Sequence, residues 1–141
     1  MECRLYLDIE TGNAGYGSGE KVDLGGDWEA LNFLFTGGRD ADGSPASLLV
    51  DEWPDIGGSE ACSIDKEALA AFARWIEPRS DSELLSRFDP SAMEKAGIYR
   101  GSSILADPVS TRDRLVMHLE ALRSFVKQSA SRRAGAIIVI A

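Results

Sequence analysis

Asp8 and Glu10 are the residue pair in this chain whose types and spacing come nearest to a reaction centre. They stand two apart in Leu7-Asp8-Ile9-Glu10-Thr11, at the end of an alternating apolar segment. On a strand, that spacing puts both carboxylates on one face, as two-metal phosphodiester chemistry requires. Such a centre needs further aspartates and a histidine or tyrosine base on a later helix. The single histidine, His118, has no aspartate four or five residues beyond it, so the constellation stops at two strand-end carboxylates.

Other chemistries end in the same way. Gly12–Lys21 is rich in glycine after a strand, a setting that can cradle phosphate. It has neither Gly-Lys-Ser/Thr nor the Gly-x-Gly-x-x-Gly spacing. His118 lies three residues after Leu115 and four before Leu122, on or beside the apolar face of a helix, and reads as a hydrogen-bonded core residue. A lone histidine and two unpaired cysteines, Cys3 and Cys62, do not form a zinc site, and Asp40-x-Asp42 offers too few ligands for a divalent ion. No Gly-x-Ser-x-Gly elbow is present. No catalytic residue, metal site or cofactor is therefore expected. Trp28, Trp53, Trp75 and Tyr99 are able to line a pocket, but their spacing fits core packing better.

The elements that must position these residues follow from pattern. Arg4–Ile9 alternates with period two and predicts a strand. Thr11–Gly26 reads as a glycine-rich loop. Asp27 then caps a helix to Phe35, with Trp28, Leu31, Leu34 and Phe35 as its buried stripe and Gly37-Gly38 as its stop. Ser44-Pro45 opens a turn or two through Asp51, which Trp53-Pro54 ends. A short strand is expected at Ala61–Ile64 and a helix from Asp65 to Glu77. Ser80-Asp-Ser-Glu83 has the form of a capping box, and Asp89-Pro90 opens a further turn closed by Gly97. Arg87 either pairs with Asp89 or reaches a helix end, and Ile98–Gly101 reads as irregular. The longest helix is predicted from Ser110 to about Arg133 with Gly135 as its stop, followed by an apolar inner strand, Ala136–Ile140. The fold class is α+β (mixed α/β): a single domain over 1–141, with a small sheet using both chain ends and several helices covering it.

Charge sets the partners. The net charge of −8 argues against nucleic acid and anionic membrane surfaces. It is also uneven, at −10 over residues 1–60 and +2 over the remainder. Asp40, Asp42, Asp51, Glu52, Asp55 and Glu60 concentrate the acid. A solvated loop region that aids solubility fits this pattern, and so does a docking surface for a basic partner. The N-terminus lacks a basic, then apolar, leader, and no apolar run approaches the roughly 18 residues of a membrane span, so a cytoplasmic protein with reduced thiols is expected.

Three segments carry a resemblance. They are Asp27-Trp28-Glu29-Ala30-Leu31-Asn32-Phe33-Leu34-Phe35-Thr36-Gly37, then Leu84-Leu85-Ser86-Arg87-Phe88-Asp89-Pro90-Ser91-Ala92-Met93, then Ile98-Tyr99. In this order, and with a long last helix leading into an apolar strand, they resemble the YfbM-like (DUF1877) family of bacterial proteins. The resemblance implies a mixed α/β domain and implies no activity. Asn32 stands where that family often has histidine, Arg100 where it usually has proline, and the glycine-rich loop where it commonly has a helix. Two functions follow as expectations. One is a non-enzymatic protein-binding module, immunity-like or antitoxin-like, that neutralises a basic partner through the acidic residues. The other is a small-molecule site or enzyme near Trp28, Asn32, Tyr99 and Arg100. Oligomeric state is not legible.

Overall fold

Alternation at the N-terminus builds β1 (Cys3–Asp8), with Cys3, Leu5 and Leu7 buried and Arg4, Tyr6 and Asp8 on the opposite face. The computed structural model describes residues 1–8, 20–56 and 60–141. Glu10, and with it the carboxylate pair, lies outside the described residues, as do residues 11–19 of the glycine-rich loop. The end of that expected loop is instead a strand, β2 (Lys21–Gly25). Val22 and Leu24 are buried and Lys21 and Asp23 exposed, so the period-two pattern is present but only five residues long, among glycines that hide it. β2 pairs antiparallel with β1, placing Arg4 opposite Asp23, where Arg4 Nε meets the carboxylate at 3.3 Å.

The apolar C-terminal strand, β4 (Gly135–Ile140), takes the inner position expected of it. The order is β2-β1-β4-β3, with β3 at Ala61–Ile64, and every neighbouring pair is antiparallel. Register puts Leu5 opposite Val22 and Ile138, and Ile64 opposite Ala136, so one face of the sheet carries a continuous apolar surface. Helices cover that face. Cys3 and Cys62 sit on β1 and β3 with β4 between them, so two strand spacings, about 10 Å, separate them. That is beyond disulfide reach, and both thiols are free. Burial, aided by the charge of Asp23, pushes the Cys3 thiol up to about 12. Cys62 is raised by burial and by its hydrogen bond to Asp55. A thiol reagent is expected to label Cys62 slowly in the native protein and Cys3 only after unfolding, which timed absorbance measurements with and without urea would check.

α1 (Trp28–Thr36) is buried on every side from Trp28 to Phe35, rather than along a stripe, because it runs through the centre of the molecule. Gly37 ends it at φ +82°, its N–H bonding Phe33 O at 2.8 Å. Arg87 also closes this end, donating to Phe35 O at 2.8 Å and Leu34 O at 3.2 Å. A 3-10 turn (Pro45–Ser47) follows, capped by Ser44 as its Ser-Pro start predicts. α2 (Lys66–Ile76) is capped by Asp65 and buries Leu69, Phe72 and Ile76. Phe35, Phe72 and Trp75 form an aromatic cluster with ring centroids 5.5–5.9 Å apart. α3 (Asp81–Leu85) and α4 (Pro90–Lys95) are capped by Ser80 and Asp89.

Two boundaries differ from expectation. The irregular stretch after Ile98 gives way to a helix, α5 (Gly101–Ala106), entered through Arg100 at φ +64°. α6 (Pro108–Ser131) starts two residues earlier than Ser110, because Asp107 caps it by accepting from the Ser110 N–H at 3.2 Å. Gly135 does not stop α6. Arg133 takes the left-handed turn, at φ +52°, and Gly135 belongs to β4. A β-carbon on an L-residue is disfavoured there by roughly 1–2 kcal/mol. Arg133→Gly should raise stability by about 0.5 kcal/mol once glycine's extra chain entropy is subtracted, visible as a higher urea midpoint.

Candidate functional site

The acidic segment runs from the end of α1 through the 3-10 turn to β3. From Asp40 to Ile64 the chain contains no lysine or arginine. Asp40, Asp42, Asp51, Glu52, Asp55 and Glu60 are all exposed, and none makes an ion pair among the described residues. Asp42 is held by Ser44, whose Oγ and N–H donate to it at 2.6 and 2.9 Å, and these bonds keep its carboxyl below the usual range. Asp51 accepts from the Glu52 N–H at 2.8 Å. Asp55 faces Cys62 in an isolated bridge, and the thiol donates to it at 3.4 Å.

This bridge also covers the outer edge of β3. Ser63 N–H donates to Pro54 O and Ile56 N–H to Ala61 O, both at 2.9 Å. Trp53 stands between two clefts that share Asp51. One, of about 190 Å³, is bounded by Pro45, Leu48 and Ala71, and the other, of about 80 Å³, by Leu49, Glu60, Cys62, Ile138 and Ile140. The Trp53 indole N–H donates to Leu48 O at 2.9 Å, which fixes the ring between them.

The second expected group is placed along α1. Trp28 and Asn32, one helical turn apart, are both buried, at 7% and 0% exposure. Asn32 binds the far end of the helix, its amide nitrogen donating to Gly38 O at 3.2 Å and Arg39 O at 3.3 Å. Tyr99 and Arg100 come to the near end. Tyr99 N–H donates to Glu29 Oε1 at 3.0 Å, and the Arg100 guanidinium lies against Gly26, where a β-carbon would meet it at 3.0 Å. Among the described residues, Trp28 Nε1 and Asn32 Oδ1 have no hydrogen-bond partner.

Sequence reasoning missed the polar cluster at the start of α1. Asp27 occupies the N-cap position, but its side chain makes no capping bond. Its carboxylate instead accepts from Arg114 Nε at 3.0 Å and lies 3.1 Å from His118 Nε2. Burial raises the Asp27 carboxyl, but the hydrogen bonds from His118 and Arg114 outweigh it and hold the group below its ordinary value. His118 is thus hydrogen-bonded, as its place beside the apolar face suggests. Glu29, also buried, takes Arg39 as well as Tyr99. The signal was an arginine and a histidine, Arg114 and His118, four apart on one helix, but nothing local joins them to Asp27.

Among the described residues, no group of three or more His, Cys, Asp or Glu is placed to hold a metal ion, and no helix is long and apolar enough to cross a membrane. The family described as domain of unknown function DUF1877 matches residues 4–139. The chain belongs to the DUF1877 family. The resemblance carried by the α1, α3–α4 and Ile98-Tyr99 segments is thereby borne out. The fold matches the crystal structure of YfbM from Escherichia coli, a protein of unknown function, with a TM-score of 0.70 at 20% identity over 100% of both chains. At that identity the likeness speaks for the α+β fold alone. No curated protein matches the chain.

Proposed function

We propose that this member of the family is a protein-binding module that engages a basic partner through residues 40–60, in the manner of an immunity-type or antitoxin-like neutraliser. One observation carries the reading: six exposed carboxylates, in a stretch without a cation, have no ion pair of their own among the described residues. Several acids outside this stretch are met by cations, as at Asp23, Asp27, Glu29 and Asp81. A surface of unpaired like charge steers an oppositely charged protein and selects against acidic ones. The cytoplasm, which keeps Cys3 and Cys62 as thiols, is the compartment this reading takes.

The test is titration with a deca-lysine peptide, followed by calorimetry at 20 and 200 mM salt. Binding at low salt that weakens about tenfold or more at high salt supports the reading. Absence of binding at low salt removes it.

A second reading rests on Trp28 Nε1 and Asn32 Oδ1, a buried donor and acceptor one turn apart without partners among the described residues. It places a small-molecule site near Trp28, Asn32, Tyr99 and Arg100. A metabolite that raises the melting temperature of the native protein but not of Trp28→Phe supports it, and a library screen with no such compound counts against it.

A further inference from the structure

We propose that the small cleft beside Trp53 is a socket for one long cationic side chain, lysine or arginine, of the basic partner; this rests on the acidic-face reading and goes beyond it by naming the anchor. The cleft has three kinds of wall. Its floor is apolar, made by Leu49, Cys62, Ile138 and Ile140. One side is the Trp53 indole, held by the bond to Leu48 O. The rim carries Asp51 and Glu60, both exposed and neither in an ion pair among the described residues.

Each feature narrows the occupant. At about 80 Å³ the space suits one side chain, whereas small-molecule pockets run to roughly 300–1,000 Å³. Two carboxylates at the mouth disfavour any anion and favour a cation. A bare metal ion makes no use of an apolar floor. A lysine or arginine stem does, because its methylenes cover apolar surface while the charged head stays at the rim. The indole adds attraction for that head through its π face. The partner's main chain is not the means of recognition here, since Pro54 and Ile56 already bond β3 along its outer edge. The wider cleft on the other side of Trp53 shares Asp51 and is bounded by Pro45, Leu48 and Ala71.

The experiment separates this socket from the broader acidic face. Deca-lysine is titrated at low salt into the wild type and into two variants of equal charge, Asp51→Asn/Glu60→Gln and Asp40→Asn/Asp42→Asn. Both affinity and tryptophan emission are read. All four positions are exposed, and circular dichroism verifies that each variant is folded. The socket predicts an affinity loss of about tenfold for the Asp51/Glu60 pair, several-fold more than for the Asp40/Asp42 pair. It also predicts an emission change on binding that is absent in Trp53→Phe. Equal losses in the two pairs, or an emission change that persists without Trp53, overturn the socket and leave the acidic face standing. No binding to the wild type overturns both.

Discussion

Replacing Gly135 by alanine is expected to lower the unfolding free energy by about 3 kcal/mol, the larger end of what overpacking costs. An ideal β-carbon at this position falls 2.5 Å from the main-chain oxygen of Ile64 and 3.4 Å from the nitrogen of Lys66. Both contacts are to backbone, so no side chain can rotate away. Relief requires parting β4 from the β3–α2 junction, and β4 is the strand between β1 and β3. Gly37 provides the comparison. Its φ is +82°, but nothing lies within 4 Å of a β-carbon there, so Gly37→Ala carries only the conformational penalty of about 1 kcal/mol. Urea denaturation of the two variants should separate close approach from backbone conformation. Equal losses would show that Gly135 is not held by Ile64.

Asp27→Asn is expected to cost about 2 kcal/mol at neutral pH, below the loss typical of a fully buried pair. The carboxylate is buried, at 4% exposure, while the Arg114 side chain keeps 44% and can return to water when its partner is lost. The pH dependence gives the sharper prediction. The folded Asp27 carboxyl lies below its unfolded value of about 3.9, so its contribution is fully present above that pH and is lost as pH falls through the folded value. The difference in stability between the wild type and Asp27→Asn should therefore close steadily below about pH 4. A gap that persists at pH 2–3 would assign the cost to packing rather than to charge.

Elements with local chemistry were legible in the residues themselves. Asp65, Ser80 and Asp89 cap α2, α3 and α4 through bonds to N–H groups three residues on, and such short-range pairs are visible as spacing. β4 was legible because an unbroken apolar run must lie inside a sheet. β2 and α5 were not. β2 offers only Val22 and Leu24 as its buried pair, within a glycine-rich span. α5 begins at a glycine, has no side-chain cap and is held by distant packing, with Gly101 against the backbone of Glu94 and Ile104 in the core. Asp27 shows the same limit. An aspartate before a helix looks like a cap, while the partners that claim it lie 87 and 91 residues away. At the candidate site the acid was legible as composition. The clefts around Trp53 were not, because they exist only where the 3-10 turn meets α2 and where Leu49 and Trp53 meet Cys62, Ile138 and Ile140.

Whether the acidic face is a binding surface can be decided by moving the charge loss from one part of the molecule to another. Affinity for deca-lysine at 20 mM salt is compared between Asp40→Asn/Asp42→Asn/Asp51→Asn/Asp55→Asn and a control that neutralises four exposed acids elsewhere, Glu83→Gln/Glu94→Gln/Asp113→Asn/Glu120→Gln. Both carry the same net charge. The account predicts a loss of at least about tenfold in the first variant and no more than about threefold in the control. Equal losses in the two, or unchanged binding in the first, would contradict it.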